Sequence, residues 1–165
     1  MFREMRRKPQ QLPMEEAEQI LRESTSGVLA LLGDEDYPYA VPLSHFYTPG
    51  RLYFHGAVTG HKVDAVKKHG KASFCVIAQD QVVKEEFTTR YRSVIAFGKI
   101  RIVEDDAEKL SAIRALADRF SPGMHKEAQK EIDESWNHMH LFALDIEHVT
   151  GKESMALMKQ RSAKK

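Results

Sequence analysis

The sequence has one cysteine, Cys75, so an internal disulfide framework is excluded. Cys75 lies in the apolar run 72–78, which predicts a buried, inert thiol. No apolar run approaches the ~18 residues of a membrane span, and the opening MFREMRRKPQQLP lacks the apolar centre of a secretory signal. A soluble, cytoplasmic protein is expected. Charge of one sign is also missing: the net charge is +1, which leaves no basic field for nucleic acid or a membrane surface. The basic residues at the ends, Arg6, Arg7 and Lys8, then Lys159, Arg161, Lys164 and Lys165, read as solvated tails. No HExxH or paired Cys/His spacing occurs, and the HMH at 138–140 lacks a third ligand, so no metal site is predicted. Walker, GxGxxG and GxSxG motifs are absent too.

What remains is a chain of 165 residues, 42% of them hydrophobic, enough for one domain over 1–165. Its core is expected over about 14–153, between tails at 1–12 and 154–165. Pro13 with Glu15 and Glu16 opens a helix. Strands follow at 25–32, 39–47 and 51–55, separated by turns at 33–38 and 48–51, and they read as a β-meander. A short helix at 59–70 ends on Gly70. Two strands, 71–79 and 87–104, flank a polar loop at 80–86. The second has apolar residues on both alternations, Val94 and Ala96 against Ile95 and Phe97. That predicts burial on both faces, by a barrel interior on one side and a packed partner on the other. Two amphipathic helices follow, one capped by Asp105 or Asp106 and carrying Leu110, Ile113, Ala117 and Phe120, the other carrying Met124, Ala128, Ile132 and Trp136. A last strand over 140–151 turns Phe142, Leu144 and Ile146 inward. The class is a mostly-β antiparallel barrel with helices.

Three stretches carry candidate chemistry. In HGAVTGHK, 55–62, Gly56 and Gly60 let the backbone approach a ligand, and a helix begins where His61 and Lys62 add donors and charge. A helix N-terminus with those neighbours suits an anion; a plain strand-to-helix corner is the alternative. In RYRSV, 90–94, Arg90 and Arg92 alternate on one face of an otherwise apolar strand, with Ser93 beside them. A guanidinium there needs a partner, either a phosphate or an internal carboxylate such as Asp64 or Glu86. In AVPLSHFY, 40–47, Pro42 cannot donate to a ladder, so it marks an edge or interrupted strand with free backbone groups for a flat ring.

Taken in order, GVLALLGDEDYPYAVPLSHFY, RLYFHGAVTGHKVDAVKKHGKASFCV, TTRYRSVIAFGKIRIV and DIEHVTGKES resemble the pyridoxamine 5′-phosphate oxidase-like flavoproteins, most of all their 5-nitroimidazole reductase branch. The resemblance spans roughly 16–154. It implies a six-stranded split β-barrel and a homodimer with two FMN sites at the interface. It places Pro42, Leu43 and Ser44 along the isoalloxazine, and His55, Gly56 and Ala57 lining the site. His61 and Lys62 would approach the phosphate, with Arg92 and Ser93 reaching it from another strand. His55 would act in electron transfer or protonation, or only pack beside the ring, and Lys152 falls in a family motif. The implied activity is an FMN-dependent oxidoreductase passing electrons from NAD(P)H or another donor to a small acceptor. FAD in place of FMN, a flavin carrier or sensor without turnover, and a haem-binding barrel with His55 or His148 as ligand remain alternatives. The ending ESMALMKQRSAKK does not match the basic C-terminal segment of the vitamin B6 oxidases, which argues against that activity.

Overall fold

A computed structural model describes residues 1–163. Lys164 and Lys165, assigned to a solvated tail, lie outside them. The elements in order are α1 (Met14–Glu23), β1 (Ser26–Leu32), β2 (Pro38–Ser44), β3 (Phe46–Thr48), β4 (Arg51–Ala57), α2 (His61–Lys68), β5 (Lys71–Val83), β6 (Thr88–Ile102), α3 (Asp106–Phe120), α4 (His125–Ser135), β7 (Met139–Glu153) and α5 (Met155–Ser162). The strands form one antiparallel sheet in the order β2-β1-β5-β6-β7-β4-β3.

Seven strands stand where six were expected, because the predicted strand at 39–47 breaks at His45. Its halves, β2 and β3, sit at opposite edges of the sheet. One residue separates them, so the sheet must curl until its two edges meet there; no ladder joins them among the described residues. The predicted meander is corrected at the same point: β4 does not pair back on β2 but lies between β3 and β7. His45 is fully buried, and its Nε2–H donates to the Leu21 carbonyl at 2.7 Å, which pins the junction to the end of α1. Pro42 lies on an edge strand, as a residue without an N–H requires.

Inward alternation builds the core. Leu29 and Leu31 of β1, Phe74 and Val76 of β5, and Val94, Ala96 and Ile100 of β6 meet Leu52, Phe54, Phe142 and Leu144. Within one chain the strand buried on both faces is β7. Leu141, Phe142, Ala143 and Leu144 are all fully buried, because α3 and α4 cover the outer face with Ile113 and Ile132. On β6 the outward residues Ile95 and Phe97 are only partly covered, as is Cys75 next to them, whose thiol burial raises.

The expected tails are largely docked. Residues 155–162 form α5, with Leu157 buried. Arg161, assigned to the solvent, donates to the fully buried Glu153, as does Arg92. From the other end, buried Gln10 donates to the Glu153 carbonyl oxygen, and Leu12 is buried. The predicted loop at 80–86 is mostly a continuation of β5 into a long hairpin with β6, whose tip exposes Val82 and Phe87.

Candidate functional site

The β4–α2 corner forms because Gly60, at φ +116°, turns the chain into the helix without supplying a capping side chain. Its carbonyl accepts from Val63 and Asp64. The N–H groups before them have no intrahelical acceptor, the general state of a helix start, and they remain open to an anion. Lys62 lies in this first turn. It is half-buried, its ammonium stands 5.2 Å from the centre of the Phe142 ring, and no carboxylate among the described residues pairs with it. Burial alone pulls its pKa down. Gly56 backs it: a Cβ there would stand 2.5 Å from Lys62 Nζ. The corner therefore holds a partly desolvated cation that lacks a counter-ion.

His61 faces elsewhere. Its ring stacks on Tyr39 of β2, 4.0 Å between centroids, and its Nε2 accepts from the Asp34 backbone N–H at 3.2 Å. It ties α2 to the β1–β2 turn and brings the β2 edge beside the corner. On β2 the side chains of Pro42 and Ser44 point outward, while Leu43 packs on the core.

His55 and Ala57 are exposed on β4. Crowding by protein atoms, then the Lys62 charge, hold the His55 imidazole below its ordinary value, so it is neutral at pH 7. His55 also borders a cavity of about 450 Å³ between α3, α4 and the start of β7, lined by Ile113, Leu116, Met124, Ile132 and Met139. The sequence reading missed this cavity. Its signal was present as the apolar faces of the two amphipathic helices, for which no ligand site was named.

Arg92 and Ser93 are not brought to this corner. In the ladders Gly56 faces His140 near the start of β7, whereas Arg92 and Ser93 face Glu153 and Lys152 at its end. About 40 Å of strand separates them. The Arg92 guanidinium bonds Glu153 at 3.1 and 3.2 Å, a carboxylate the sequence reading did not name. Arg90 does pair with the expected Glu86, at 2.8 Å. The Lys152 ammonium lies 5.8 Å from the centre of the Tyr91 ring. His148 lies on the outer face under the Phe2 ring.

Among curated proteins none matches this chain. Several solved structures share its fold. A Bacteroides thetaiotaomicron protein provisionally assigned to 5-nitroimidazole antibiotic resistance is 17% identical, covers 87% of this chain and 86% of its own, and superposes with a TM-score of 0.72. A flavocytochrome from Azotobacter vinelandii is 20% identical over 92% of this chain and 72% of its own, TM-score 0.76. The FAD and haem binding protein of Mycobacterium smegmatis is 26% identical over 88% of this chain and 74% of its own, TM-score 0.75. Residues 13–153 match the family model of pyridoxamine 5′-phosphate oxidase, which is most of the chain and every strand of the sheet. With the sheet order, the curled edges and the β4–α2 corner already described, this match shows that the chain belongs to the pyridoxamine 5′-phosphate oxidase family.

Proposed function

We propose that the chain is a homodimeric, FMN-dependent oxidoreductase that passes electrons to a small acceptor. The observation that carries this reading is the half-buried Lys62 ammonium, which has no carboxylate partner and lies in the first turn of α2 against a glycine. A phosphate would supply the missing counter-charge and accept from the open N–H groups. The residues present thus fit the phosphate end of a flavin mononucleotide. The free edge of β2 offers backbone groups to a flat ring beside it. Bound flavin would supply the two-electron chemistry.

The chain's own residues do the rest. Lys62 and the helix N-terminus bind and orient. His55, neutral at pH 7, presents an imidazole N–H that polarises an acceptor by hydrogen bonding rather than as a cation. NAD(P)H is the proposed donor. Dimerisation is supported by the outer face of β6, where Ile95 and Phe97 stay partly uncovered within one chain. A second copy would also be the means to bring Arg92 and Ser93 near a corner that their own chain keeps them from.

The test is the spectrum of the purified protein with added FMN, then with NADPH or NADH under anaerobic conditions. Flavin bands that bleach support the reductase. Bands that do not bleach with either nucleotide favour a flavin carrier, and a Soret band favours a haem protein, the group borne by two of the structural neighbours.

A further inference from the structure

The cavity beside His55 has two unlike parts. Its walls, from α3, α4 and β7, are aliphatic: Ile113, Leu116, Ile132 and Met139. Its outer edge carries Glu127 and Glu131, one helical turn apart on α4, both exposed and neither paired with a cation among the described residues. No lysine or arginine lines it, and His55, exposed on β4, borders it. Its volume, about 450 Å³, falls in the range of small-molecule sites.

We infer that this cleft is a binding site for a flat aromatic molecule bearing a positive charge at one end, with the ring between α3 and α4 and the charge at Glu127 and Glu131. A cleft with aliphatic walls and a few polar groups, its carboxylates on the exposed edge, buries a ring and orients its charged end. Two adjacent carboxylates without cations raise the local potential against anions and lower it for cations. Resting on the flavin reading above, the inference makes the cleft the entry for the electron acceptor, because His55 borders it. It then excludes phosphorylated or carboxylated acceptors from this route. The corner at Lys62 has the opposite sign, so the two sites sort ligands by charge.

The probes are 2-naphthylmethylammonium, 2-naphthylmethanol and 2-naphthoate, three bodies of similar shape with charges of plus one, zero and minus one. Each is titrated calorimetrically into the full-length protein at low salt, with and without saturating FMN. The cation is expected to bind about tenfold more tightly than the anion, the scale on which two exposed carboxylates act at low ionic strength. The exposed double substitution Glu127→Gln with Glu131→Gln should remove most of that difference and leave 2-naphthylmethanol unchanged. Filling the cleft from α4 with Ala128→Phe, or independently from α3 with Ala117→Phe, should abolish binding of all three in whichever variant retains the wild-type circular dichroism. Equal binding of cation and anion, retention of binding in a folded filled variant, or no binding of any probe overturns the inference. FMN absorbance in the same samples separates the two readings. FMN bound without naphthyl binding overturns the cleft alone; naphthyl binding without FMN binding overturns the flavin reading and leaves the cleft as a site.

Discussion

Gly56 and Lys62 compete for one space: the ammonium of Lys62 fills the volume that a side chain at 56 would take. Because the crowded atom is the far end of a flexible chain, Gly56→Ala should fold normally while displacing the charge. FMN affinity is expected to fall about tenfold or more, and Lys62→Ala should remove the whole charge-assisted contact, about 1.5–3 kcal/mol. Flavin fluorescence titrations of both variants check this. Wild-type affinity in Lys62→Ala would move the phosphate elsewhere.

Arg92 is predicted to act on stability within the chain. Glu153 is fully buried between Arg92 and Arg161, so removing one guanidinium leaves a buried carboxylate half-paired. Arg92→Ala should cost about 3 kcal/mol, near the lower end of the range for broken buried pairs. Urea unfolding measures it. A loss of FMN affinity with unchanged stability would instead assign Arg92 to the phosphate.

His45 makes the fold acid-sensitive. Burial, more than the nearby Arg119 charge, lowers its pKa despite the bond to the Leu21 carbonyl. The unfolded chain therefore takes up a proton near pH 6.5 that the folded chain refuses, and stability falls as the pH drops below that value. His55 and His140 are lowered too, so they add to the slope. Urea midpoints between pH 8 and 5.5 should decline, and His45→Gln should flatten part of the decline. An identical slope in the variant would place the sensitivity elsewhere.

Gly98 tests the sheet. It follows a register shift against β7, and a Cβ there would overlap the Asp145 backbone carbonyl. Backbone cannot step aside as the Lys62 chain can. Gly98→Ala should destabilise by about 1–3 kcal/mol or more, unlike Gly56→Ala. Thermal melts of the two variants side by side decide it.

His55→Ala should keep the flavin and slow turnover about a hundredfold, the lower scale of acid–base catalysis. Steady-state rates at saturating FMN read this out. Unaltered turnover would leave His55 as packing.

Local pattern made much of the molecule legible. The inward rows of β1, β5 and β6, the Asp105 cap of α3 and the corner at Gly60 are written in neighbouring residues. What escaped depends on distant contacts. Nothing near His45 says that β2 and β3 part there, since the bond that pins it comes from α1. The Arg92 partner is 61 residues away, and Arg161 ties α5 to that same carboxylate. Burial of both faces within one chain falls on β7, which the pattern did not show, because the sequence shows two amphipathic helices without saying which strand they cover.

The central claim is that the β4–α2 corner holds the phosphate of FMN. Its most direct test is an equilibrium titration of the flavin-free protein with FMN and, in parallel, with riboflavin, which lacks the phosphate. The account predicts saturable FMN binding at one flavin per chain and at least tenfold weaker riboflavin binding, the difference shrinking in Lys62→Ala. No FMN binding, or equal affinity for the two flavins, would contradict it.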